Sequence, residues 1–205
     1  MKVRLDAVLH AMILFLSAGT LAVAQETPSS TPSPGTVSVS GVSPERFNPT
    51  HGTAFFRVSG AYFPSDPRDV AVIIDDRQLP AGNLAVSRRI VAASFVMAPG
   101  PNSLVLRAWD DSGQVLTSET PVWAGELTME VEITDVLGNP VEGGQLTASL
   151  TASPSIRSTV AVANGRAELV NLPDEEILLE ASDPSGRSAV LTVRAADRRA
   201  ALVLR

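Results

Sequence analysis

From Val37 onward the chain is written in short runs in which apolar and polar residues alternate, the two-residue period of strands with one dry and one wet face. A first set comprises Val37 to Val42, Thr53 to Ser59, Val70 to Ile74, Ile90 to Val96, Ser103 to Trp109 and Val115 to Val122, separated by Gly, Pro, Asp and Asn. A second set comprises Thr128 to Thr134, Gln145 to Leu150, Ser158 to Val162, Arg166 to Leu172, Glu176 to Ala181, Ala189 to Val193 and Ala200 to Leu204. The alternation is plainest where Met129, Val131 and Ile133 interleave with Glu130, Glu132 and Thr134. No window sustains a helical period, so the pattern predicts an all-β protein. The junction Pro121-Val-Trp-Ala-Gly-Glu126 is too short for a flexible linker. It predicts two consecutive β-sandwich domains, residues 37–124 and 125–205, joined almost strand to strand, with Trp123 wedged between them.

Two N-terminal stretches fall outside this grammar. Residues 1–24 have a basic start at Lys2 and Arg4, an apolar middle from Val8 to Leu16, and the small-x-small site Ala22-Val23-Ala24. That is the layout of a cleaved signal peptide. His10, Ser17, Gly19 and Thr20 interrupt the apolar stretch, which falls short of the roughly 20 residues of a membrane span. No cysteine near Ala24 offers an acceptor for lipid. Residues 25–36, rich in Pro, Ser and Thr, read as a solvated linker. The expected product is an exported protein, periplasmic or extracellular, with no integral membrane span after cleavage.

Charge narrows the partners. The leader carries two of the 16 basic and one of the 22 acidic residues, leaving a formal −7 that argues against nucleic acid. Lys2 is the only lysine, so every basic side chain beyond the leader is arginine. With no cysteine in an exported chain, each domain must hold together by burial alone, which about 80 residues can do.

Two sets of motifs carry family resemblances. Val42-Ser43-Pro44, His51-Gly52-Thr53 and Val58-Ser59-Gly60-Ala61-Tyr62-Phe63, with Pro99-Gly100 ahead of Ser103 to Trp109, resemble the punctuation of IPT/TIG domains. The resemblance implies an immunoglobulin-like sandwich over residues 37–124, with Phe63 plugging its end. In the second half, Asp135-Val-Leu-Gly-Asn-Pro140-Val-Glu-Gly-Gly144 and Asn164-Gly165-Arg-Ala-Glu-Leu169-Val-Asn-Leu-Pro173 resemble the carboxypeptidase regulatory-like, or transthyretin-like (prealbumin-like), domain. Glu175-Glu176-Ile177 stands where that family carries Gly before Tyr, and Ala167 replaces its usual aromatic. Asn164-Gly165 also reads independently as a two-residue hairpin turn needing positive φ at both positions. Both families are modules usually appended to larger surface proteins or enzymes. No catalytic domain accompanies them here, which predicts that any chemistry belongs to a partner in trans.

The residues themselves offer little catalysis. His51 is the only histidine beyond the leader and is expected in a turn; without cysteine there is no His/Cys zinc cluster and no Cys-His pair. There is no G-x-S-x-G elbow, and a phosphate loop would need a lysine. Asp111-Ser112-Gly113 matches the aspartic-protease tripeptide, but Trp109-Asp110 precede it in place of apolar residues, so hairpin punctuation is the expectation. Asp75-Asp76, Asp110-Asp111 and Asp174-Glu175-Glu176 lack calcium-loop spacing and are expected as solvated turns. Tyr62, Phe63, Trp109 and Trp123 are the candidate binding residues, either as a sugar-stacking platform or as packing. No catalytic residue, metal or cofactor is assigned. The expected function is a non-catalytic protein-binding or structural module; the alternatives are an accessory carbohydrate-binding protein and a small hydrolase using a carboxylate pair. The expected partner is another envelope or extracellular protein, or a polysaccharide, met by sheet edges and by the loops Pro64 to Asp69 and Pro173 to Glu176.

Overall fold

The computed structural model describes residues 36–59, 66–109 and 115–205. The leader and most of the linker, Tyr62 and Phe63, and the Asp110-Asp111-Ser112-Gly113 segment lie outside them. The first sandwich is built from β1 (Thr36–Ser40), β2 (Phe47–Pro49), β3 (His51–Ser59), β4 (Val70–Ile74), β5 (Arg77–Gln78), β6 (Leu84–Ser87), β7 (Ile90–Val96), β8 (Gly100–Trp109) and β9 (Val115–Gly125). One sheet runs β1-β3-β7-β6 and the other β2-β9-β8-β4-β5. Without β2 and β5 these are the A-B-E-D and G-F-C orders of an immunoglobulin constant-type sandwich. Alternate residues supply the core: Ala54, Phe56 and Val58 from β3, Val91, Ala93 and Phe95 from β7, and Leu104, Leu106 and Ala108 from β8.

The second sandwich comprises β10 (Leu127–Asp135), β11 (Gln145–Leu150), β12 (Arg157–Ala161), β13 (Arg166–Leu172), β14 (Glu176–Ser182), β15 (Ser188–Arg194) and β16 (Arg199–Leu204). The sheet β13-β10-β16 lies over β12-β11-β14-β15, and β16 pairs parallel to β10. Met129, Val131 and Ile133 face inward from β10, with Leu146, Ala148 and Leu150 of β11 and Ile177, Leu179 and Ala181 of β14. The predicted hairpin turn is present, with φ of 51° at Asn164 and 69° at Gly165.

The fold corrects several expectations. β1 stops at Ser40, because Gly41 at φ 87° bends the chain and drops Val42 into the core. β2, β5 and β6 are strands that periodicity did not predict. His51 is the first residue of β3 and not part of a turn. The expected junction is itself strand: β9 continues to Gly125 and β10 begins at Leu127, so Glu126 alone separates them. Both sandwiches belong to one compact unit. No helix among the described residues is long and apolar enough to cross a membrane.

Candidate functional site

The two cores meet where β9 passes from one to the other. Strand alternation points Val122 and Ala124 into the first core, while Trp123 between them faces the opposite way and lies half-buried against the second core. Beside it β2 pairs in parallel, Phe47 against Trp123. Phe47 is only 6% exposed and belongs to the core of the second sandwich, although its strand belongs to the first. Burying such a ring stabilises by about 1.5–3 kcal/mol.

Asn48 fastens this segment. It is 4% exposed, and its Nδ2 donates to the carbonyl oxygens of Ser43 and Arg46 at 2.8 Å each and of Trp123 at 3.2 Å. Its Oδ1 accepts from the Ser43 N–H at 2.8 Å. A buried amide satisfied on both sides rigidifies its surroundings, and here it buckles residues 43–49 onto β9. From the same segment the Glu45 carbonyl accepts the Arg157 N–H at 3.0 Å, a backbone bond across the two sandwiches. Gly125 completes the contact: a Cβ there would lie 2.2 Å from the Leu172 carbonyl carbon, so only glycine lets β9 run over the end of β13.

Next to this clamp opens a crevice of about 310 Å³, lined by Trp123, Leu150, Thr151, Ala152, Glu175 and Glu176. The Thr151 N–H donates to the Glu176 carbonyl and the Ala195 N–H to that of Glu175, at 3.1 Å each, which fixes one wall. Trp123 and the end of the Pro173–Glu176 loop, singled out separately in the sequence, therefore share one place. A larger hollow of about 820 Å³ lies over β13-β10-β16, but its rim is a solvated charge ladder. Arg199 meets Glu130 at 3.7 Å and Arg166 meets Glu132 at 3.9 Å, all on exposed side chains, and such pairs contribute little.

The remaining candidates are not gathered into a platform. Trp109 is 38% exposed at the far end of the β8–β9 hairpin. Pro101 pairs with Trp123 and Trp109 with Val115, so the two indoles stand roughly 26 Å apart along the hairpin. Phe55, half-exposed on the outer face of β3, is a further surface aromatic that the run of two phenylalanines could have signalled. Asp75 and Asp76 form the β4–β5 turn at φ 45° and 65°, and Asp75 accepts the Ser103 N–H at 2.8 Å. Among the described residues, no three His, Asp or Glu side chains gather as a metal site.

The opposite end of the second sandwich carries two turns of one design. In Asp135–Asn139 and Asp183–Arg187 the first Asp carboxylate accepts the backbone N–H groups two and four residues on, and its own carbonyl accepts from Gly138 or Gly186. Arg187 binds Asp183 at 2.7 Å and reaches Asp135 at 3.9 Å, tying the turns together. The Ser185 hydroxyl, with Arg187, holds the Asp183 carboxyl down to about 2, and the Asn139 amide lowers that of Asp135. Leu137 projects from the first turn 82% exposed.

No family model matches the chain, and no curated protein matches it. Similar solved structures are pilin and adhesin β-sandwich domains. A variant of BcpA, the major pilin subunit of Bacillus cereus, is 12% identical, with 85% of this chain and 71% of that chain covered at a TM-score of 0.33. A 35 kDa C-terminal fragment of a major pilin of Streptococcus agalactiae is 8% identical, with 84% and 99% covered at 0.32. A 1.5-MDa bacterial ice-binding adhesin is 14% identical, with 83% and 65% covered at 0.32. At such scores the superpositions are loose.

Proposed function

We propose that the protein is a non-catalytic exported module that works by binding, its partner another envelope or extracellular protein. The observation that carries this reading is that both interiors are filled by the chain itself. Phe56, Leu104 and Leu106 close the first core, and Met129, Ile133, Leu146 and Leu150 the second, all fully buried. A ligand is left with sheet edges, loops and the junction crevice, which are the surfaces on which sandwiches recognise proteins. The immunoglobulin-like strand order supports reading residues 37–124 as an IPT/TIG-like domain. The second sandwich supports reading residues 125–205 as carboxypeptidase regulatory-like. Residues 1–24 act as the signal peptide, so the mature chain begins at Gln25.

The test is affinity capture from a native envelope fraction, followed by binding measurements on the purified partner. Low-micromolar or tighter binding, weakened by proline at Ser38 in β1 or Ala85 in β6 but not by chelators, is the expected result. Hydrolytic activity lost on substituting one carboxylate pair would overturn it. Specific glycan binding abolished by Trp109→Ala or Tyr62→Ala would establish the carbohydrate reading in its place.

A further inference from the structure

We propose that the junction crevice accepts a cationic side chain, the ammonium of a lysine or the guanidinium of an arginine, projecting from the partner; the proposal rests on the binding-module reading above. A long cationic side chain needs an apolar surface for its methylene stem, a favourable seat for its charge, and a counter-charge. The crevice holds all three. Ala152 and the partly exposed Trp123 give the apolar contact over the buried Leu150, the indole of Trp123 gives a ring to the charge, and Glu175 and Glu176 line the same space. Among the described residues neither glutamate forms an ion pair, whereas the adjacent Asp174 takes Arg194 at 3.6 Å.

Size and field agree with that occupant. A volume of about 310 Å³ lies at the bottom of the range for ligand pockets, enough for one side chain and too small for a long oligomer. The net charge of −7 beyond the leader draws cations toward the molecule and repels anionic polysaccharide. Lys2 is the only lysine, and Arg194, the cross-strand partner of Glu176, is taken by Asp174 at 3.6 Å.

The chain has two tryptophans, so Trp109→Phe leaves Trp123 as the sole indole reporter. Its fluorescence is titrated with the Nα-acetyl N-methylamides of lysine, arginine and norleucine, and with maltohexaose. Saturable changes are expected with the lysine and arginine probes and none with norleucine. The response should weaken by about fivefold or more in Glu175→Gln/Glu176→Gln, and also as salt is raised on the protein without those two changes. Circular dichroism checks that the double variant keeps its fold; the salt series does not depend on it. Equal response to norleucine, indifference to both charge removal and salt, no response to either cation, or a response to maltohexaose alone would each overturn the proposal. A captured protein partner that binds the double variant as tightly as the unsubstituted chain would also remove the crevice as its seat, leaving the module reading intact. Cation binding with no protein captured from the envelope fraction would overturn the module reading, and with it the assignment of the side chain to a partner, while the crevice stayed a cation seat.

Discussion

A methyl group at position 125 has nowhere to go, because the Leu172 carbonyl carbon would stand 2.2 Å from it and the Pro173 nitrogen 2.4 Å, and both are backbone. Gly125→Ala must push β9 and the end of β13 apart, and overpacking of that kind costs about 1–3 kcal/mol. The expected outcome is a lowered thermal midpoint together with faster hydrogen exchange at residues 45–48 and at Leu172, read by mass spectrometry. Asp183 supplies a separate expectation, in pH. Its carboxyl titrates at about 2 in the folded protein against an ordinary 3.8, so as pH falls below about 4 the unfolded chain takes up the proton first. The stability it contributes is therefore complete above pH 4 and drains away toward pH 2. Denaturation midpoints at pH 5, 3.5 and 2.5 should fall less steeply in Asp183→Asn than in the unsubstituted protein.

At the scale of elements, legibility followed length and period. β4, β7, β11 and β13 stand where the sequence places them, each at least five residues long with three apolar residues turned to its core. β2, β5 and β6 have three, two and four residues, too few for a period to declare itself, and Pro49 further disguises β2. Pro121 and Gly125 are ordinarily turn residues, so residue type alone hides how far β9 runs. Here Pro121 sits late in β9, and Gly125 is present for close approach instead of for a bend. The same limits governed the candidate site. Trp123 and the Pro173–Glu176 loop were each conspicuous as residue types, but their meeting depends on the fold-back of β13 and β14 onto the end of β9. Phe47 and Asn48 gave no signal at all, since a phenylalanine that serves another domain's core looks like any other.

At the scale of the molecule, the two sandwiches have separate cores but do not hang from a free hinge. Phe47 extends from the first sandwich into the second core, the Asn48 amide locks its strand to Trp123, and Glu45 receives the Arg157 N–H. Any rotation of one sandwich against the other must withdraw the Phe47 ring from the second core and break the Arg157–Glu45 bond, because the Asn48 amide holds β2 to β9. That couples their stabilities, and it fixes the walls of the crevice beside Trp123. Phe47→Ala tests the coupling. Truncating a buried phenylalanine costs about 3–5 kcal/mol, here charged to the second core and to the contact while the residues of the first core keep their neighbours. Calorimetry of the unsubstituted protein should show one cooperative transition. The variant should show two, the lower belonging to residues 127–204, with small-angle scattering reporting a wider spread of shapes. A variant that still unfolds in one step with an unchanged scattering profile would mean that the clamp is dispensable, and that Glu126 and the direct run of β9 into β10 suffice to hold the sandwiches together.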